Sequence, residues 1–115
     1  IAIPVFLNQR QKGWDAQAES DVRNMATAQE TYLTENSTYS STVAPLKALG
    51  FKQSTNVKQV GTTGTASGYC AVAQSNSNKY FWYDSQGGGL LGFTTGTTPP
   101  SGSVACTALP TMVAS

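Results

Sequence analysis

Apolar residues recur at Trp14, Ala18, Val22, Met25, Ala26, Tyr32 and Leu33. The steps are mostly three or four, and Gln29 occupies the one register position without an apolar side chain. That spacing lays a single apolar stripe along one face of a helix. Asp15, Glu19, Ser20, Arg23, Glu30 and Thr34 fall on the opposite face. Ala and Gln favour the helix, and no proline interrupts the run. Gly13 costs about 1 kcal/mol relative to Ala, and Pro4 would kink a helix that reaches the N-terminus. The pattern predicts one helix from about Pro4 to Glu35, ~48 Å long at ~1.5 Å per residue. A domain this small cannot bury such a rod along its whole length, so something else must hold its front.

Beyond the helix the periodicity changes. Asn36 to Ser41 is small and polar, a helix exit. Pro45 to Gly50 predicts one short helical turn, with proline at its start and glycine just past its end. Ser54 to Gly68 reads as irregular, with a weak strand over Val57 to Thr62. Tyr69 to Gln74 and Lys79 to Asp84 have strand chemistry, the second dense in aromatics, with Ser75 to Asn78 as the turn between them. Ser85 to Gly89 is a second turn and Leu90 to Thr95 a third strand. The expectation is a single α+β domain: residues 1–35 a long N-terminal helix, 36–68 a connecting loop, 69–95 an antiparallel β-meander of three to four strands, and 96–115 a C-terminal segment. The meander's apolar face would cover Trp14, Ala18, Val22, Met25, Tyr32 and Leu33. Pro99, Pro100 and Gly102 keep the tail out of any central strand.

Composition narrows the chemistry. The 115 residues suit one domain with a modest core. Net charge is +1, from 7 basic and 6 acidic residues, which gives no general attraction to nucleic acid. Charged residues make up 11% of the chain against a usual quarter, and the uncharged polar surface that replaces them suits life outside the cell or packing against copies of itself. There is no histidine, so the commonest general base is missing. Cys70 and Cys106 are too few and too far apart for a zinc site. They are either a disulfide or two separate buried thiols. The disulfide is favoured because each lies where an element meets a loop, and it would place the fold in an oxidising compartment.

Other candidate sites are weaker. Asp15 and Glu19 are four apart and could share a ligand, but no third ligand is near. Asp84 precedes the Gly87-Gly88-Gly89 turn and is the only acid between Glu35 and the C-terminus, too few for calcium. The glycine run lacks the surroundings of a phosphate loop. Asn36-Ser37-Thr38 fits a glycosylation sequon and equally a polar helix exit. Lys47, Lys52, Lys58 and Lys79, with Tyr80, Phe81, Trp82 and Tyr83, form the one grouping that could stack single-stranded DNA. No catalytic residue, metal or cofactor is expected.

Ile1-Ala2-Ile3-Pro4-Val5-Phe6-Leu7-Asn8-Gln9-Arg10 resembles the outer end of the N-terminal helix of type IV pilins, kinking proline included. Ala28-Gln29-Glu30-Thr31-Tyr32 running into Asn36-Ser37-Thr38-Tyr39 resembles the way those helices end. Tyr69-Cys70, and Tyr83-Asp84-Ser85 before glycines, resemble strand edges in Gram-positive members. The likeness is close over the first forty residues and loose beyond. It implies a structural subunit of a cell-surface pilus, serving adhesion, surface motility or DNA uptake. Ile1, Ile3, Pro4, Val5, Phe6 and Leu7 would then pack helix against helix in a filament of many copies. Implied partners are those copies, assembly proteins of the inner membrane and, more weakly, DNA. The family's aromatic first residue, near-terminal glutamate and apolar membrane span are not in this sequence, so membrane anchoring before assembly would rest on a segment ahead of Ile1. A pseudopilin of a secretion or competence machine is the alternative within the family. A secreted carbohydrate- or protein-binding module is the alternative outside it.

Overall fold

The structure, a computed structural model, describes residues 3–114, with side chains from Leu7 onward. Helix α1 spans Ile3–Asn36 and helix α2 Ala44–Ala48. Five strands follow: β1 Val57–Gly64, β2 Tyr69–Ser75, β3 Tyr80–Asp84, β4 Gly89–Thr94 and β5 Met112–Val113. They form one antiparallel sheet in the order β4-β3-β2-β1-β5. This is the expected α+β fold, with one long helix laid on an antiparallel meander.

Alternation along the strands gives the sheet two unlike faces. Ala71, Ala73 and Phe81 point toward α1 and join Ala18, Val22, Met25 and Ala28 of the helix in one core. Cys70, Val72 and Trp82 point the other way and are covered by Cys106, Leu109 and Met112 of the tail. Buried on both faces, β2 reads as an unbroken apolar run rather than an alternating one.

The helix stripe is most deeply buried in its middle. Ala18, Val22 and Met25 are fully buried, whereas Trp14, Tyr32 and Leu33 are half-buried. Polar side chains extend the stripe sideways. The Asp21 carboxylate accepts hydrogen bonds from the Ser54 amide at 2.9 Å and its hydroxyl at 2.6 Å. The Gln17 Oε1 accepts one from the Asn56 amide at 3.2 Å. Asp15, expected on the solvent face, instead accepts from the Ser77 hydroxyl at 2.6 Å and pairs with Lys79 at 3.3 Å. Loops at 54–56 and 75–79 wrap the helix flanks, so the buried face is wider than the apolar stripe.

Gln29 supplies the one polar register position with a purpose. Its Nε2 donates to the Ser40 carbonyl at 2.8 Å and to Thr62 Oγ1 at 2.9 Å, and its Oε1 accepts from the Ser40 amide at 2.8 Å. The Thr62 hydroxyl in turn donates to the Cys70 carbonyl at 2.7 Å. One fully buried amide therefore ties the helix to its exit loop and to the sheet. Gln29→Leu, close in size, is expected to lower stability by about 2–4 kcal/mol in urea unfolding with little change in m, because the Ser40 groups lose their partner without access to water.

The segment between helix and meander is more regular than its sequence suggests. Val57–Gly64 is a full strand paired along its length with β2, where only a weak strand inside a connection was expected. Its Gly61 and Gly64 are there for closeness. A Cβ on Gly64 would sit 2.3 Å from the Ser40 carbonyl oxygen, and one on Gly61 2.7 Å from Met112 Sδ and from the Thr111 carbonyl oxygen. The tail, as expected, stays out of the sheet's centre, and its two-residue β5 pairs with Val60 and Gly61 at the edge.

Candidate functional site: an exposed helix front and a pinned tail

Two regions fall outside the requirements of the core. The first is the front of α1. Every residue from Leu7 to Gly13 is exposed, and helix burial begins at Trp14. Leu7 is 49% exposed on a stretch with no sheet beneath it. A helix of 34 residues is about 51 Å long, close to the molecule's longest dimension of 54 Å. The helix therefore sets the length of the molecule, and the sheet covers only its rear. Of the six residues expected to pack in a filament, Leu7 alone lies within the described side chains. Ile1, and the side chains of Ile3, Pro4, Val5 and Phe6, lie outside them. Among the described residues, no helix is long and apolar enough to cross a membrane.

The second region is the tail. Cys70 and Cys106 form a disulfide with their Cα atoms 5.0 Å apart, resolving the choice between a bridge and two thiols. Beside it Asp84, fully buried, is met by backbone donors. Its Oδ2 accepts from the Val104 amide at 2.7 Å and the Cys106 amide at 2.9 Å, and its Oδ1 from the Gln86 amide at 2.9 Å. Burial by itself pushes this carboxyl up, but the amides of Cys106, Val104, Ala105 and Gln86 together outweigh it and hold the pKa below the ordinary aspartate value. A carboxylate so occupied fastens the tail chain to the end of β3.

The remaining sequence candidates separate. Asp15 is committed to Ser77 and Lys79, so it does not converge with Glu19 on a shared ligand. Among the described residues no three metal-ligating side chains cluster. Phe81 and Trp82 are buried, and Lys79 lies 4.7 Å above the Phe93 ring while paired with Asp15. Lys47, Lys52 and Lys58 sit on three other segments. The aromatic run is thus mainly core, leaving only half-buried Tyr80 and Tyr83 near the surface. Asn36 is exposed at the helix end, its Nδ2 donating to the Tyr32 carbonyl at 3.1 Å, and Ser37 takes the left-handed cap at φ 62.

Asp84 and Asp21 are the residues whose work the sequence reading did not identify. A signal existed for Asp84: a lone acid in a long uncharged stretch, directly before a turn. For Asp21 there was none, because its partner, Ser54, lies 33 residues away. A scan of protein-family models and a search of curated proteins find no match for this chain.

Proposed function

We propose that this chain is a structural subunit of a type IV pilus-like filament, in which helix fronts pack together and the sheet with its pinned tail forms the outer surface. The observation that supports it best is the division of α1. Its rear is built into the domain, while Leu7 to Gly13 stands clear, continuing an N-terminal sequence rich in Ile, Val, Phe and Leu. Leu7 is exposed at the start of that stretch, next in sequence to further apolar residues, and copies related by a repeating rotation would supply such a front with partners without limit. A disulfide and a low charge density suit a shell outside the cytoplasm.

The test is assembly in a bacterial strain that keeps a type IV assembly machine but lacks its own major subunit. The chain is expressed there behind the membrane-spanning segment of that lost subunit. Sheared surface fractions examined by electron microscopy should contain filaments of this protein. Oxidised, folded protein that remains wholly in the membrane, with no filaments, would sink the reading. Leu7→Asp should abolish those filaments while leaving the domain's unfolding free energy within about 0.5 kcal/mol, since Leu7 contributes nothing to the domain core.

A further inference from the structure

A cleft of about 320 Å³ opens between the flank of α1 and the sheet, lined by Arg23, Ala26, Thr27, Glu30, Tyr69 and Tyr83. Its size is near the lower end of small-molecule sites, which run from roughly 300 to 1,000 Å³. One wall is helix: Arg23 and Glu30 are seven residues apart, so their Cα atoms are separated by two turns, about 10.5 Å. Thr27 lies between them. The other wall is aromatic. The Tyr69 and Tyr83 rings are parallel to within 3° at 6.0 Å, and Tyr39 extends the row with its ring 4.7 Å from Tyr69. Tyr69 is almost wholly buried and Tyr83 half-buried, so Tyr83 offers the more accessible ring.

The polar groups here keep hydrogen-bonding capacity to spare. The one ion pair among the described residues is Lys79 with Asp15, so neither Arg23 nor Glu30 is in a salt bridge with another described residue. Glu30 Oε2 accepts from the Tyr39 hydroxyl at 3.1 Å, and Oε1 has no protein donor among the described residues. The Thr27 hydroxyl donates to the Arg23 carbonyl at 3.2 Å and keeps its capacity to accept.

We infer that this cleft binds one neutral pyranose unit of a saccharide. A sugar ring has an apolar C–H face to lay on tyrosine and a rim of hydroxyls. Each hydroxyl both donates and accepts, so one ring can satisfy a donor-only guanidinium and an acceptor-only carboxylate together. Anionic ligands meet Glu30 and cationic ones meet Arg23. The inference does not depend on the filament reading, since it concerns the domain alone.

The experiment is a titration of the ¹⁵N-labelled domain with methyl pyranosides of glucose, galactose, mannose and N-acetylglucosamine, with glycerol as the polyol control. The expected result is saturable shifts of the amides of residues 23–30, 69 and 83 with at least one pyranoside and none with glycerol. Arg23→Gln and Glu30→Gln, both at exposed positions, should keep the wild-type melting curve and each lose about tenfold or more in affinity, the usual scale for a charged hydrogen bond. The proposal is overturned if no pyranoside saturates, if glycerol reproduces the shifts, or if both variants bind as the wild type does.

Discussion

Replacing Cys70 and Cys106 together by alanine is expected to lower the melting temperature by about 15 °C. The bridge joins residues 36 apart in sequence. Closing a loop of that size removes about 4 kcal/mol of chain entropy from the unfolded state at room temperature. For a domain of this length, 1 kcal/mol corresponds to about 4 °C. Reducing the native protein with dithiothreitol should give the same drop without altering a side chain, and that comparison separates cross-linking from packing. Fluorescence gives a second readout. Trp82 is fully buried in the cluster that holds the bridge and the tail, whereas Trp14 is half-buried on the helix. Loss of the bridge should shift the Trp82 emission to the red at temperatures where the helix signal in circular dichroism persists. A reduced protein that melts within a few degrees of the oxidised one would mean that Asp84 and the packing of Leu109 and Met112 hold the tail unaided.

The parts of the fold that follow from local pattern were legible. The helix stripe at three- and four-residue spacing, the aromatic strand and the turn predicted at 75–78 depend on neighbours in sequence, and their predicted bounds lie within two residues of the observed ones. What depends on distant partners was not. Val57–Gly64 carries Gly61 and Gly64 and reads as part of a glycine-rich stretch, poor evidence for a full strand by composition. It is a strand because β2 pairs along it, Gln29 bonds Thr62, and the tail and the Ser40 loop approach too closely for side chains. Tertiary context overrides a weak local propensity there. Asp15 misled for a related reason. Helical spacing put it on the solvent face, and only the turn at Ser77, 62 residues away, brings it a partner.

The polar anchors also explain how a domain with so few charges fixes its helix. Asp15, Gln17, Asp21 and Gln29 are spread over about four turns, and they meet the turn at 77–79, the loop at 54–56, and Ser40 together with Thr62 of β1. An apolar stripe alone would let α1 slide or roll on the sheet. Hydrogen bonds to fixed backbone positions set its register, and with it how far the front of the helix projects. The length of free helix beyond the domain, on which the proposed assembly depends, is therefore set by side chains well behind it.

Asp84→Asn is expected to destabilise the domain by about 3 kcal/mol at pH 7 and to change the shape of its acid response. The carboxylate receives the amides of Gln86, Val104 and Cys106 on its two oxygens. Asparagine keeps one acceptor oxygen and turns an NH₂ toward the remaining donors, leaving at least one of these N–H groups facing another donor at about 1–3 kcal/mol and weakening the charge-assisted bonds. The wild-type group has a folded pKa below its ordinary value, so its stabilisation is present above the unfolded pKa near 3.8 and disappears as pH falls through the lower folded value. Asp21 titrates in the opposite sense. Burial raises its pKa despite the bonds from Ser54, so its contribution is greatest below the unfolded pKa and declines as pH rises through the raised one. Urea midpoints between pH 2 and 7 should therefore fall more gently toward acid in Asp84→Asn than in the wild type. Asp21→Asn should lose the opposing decline at higher pH. If Asp84→Asn lowers the midpoint equally at every pH, its carboxylate contributes shape and not charge, and the tail is held by the disulfide and by Leu109 and Met112 packed over Trp82.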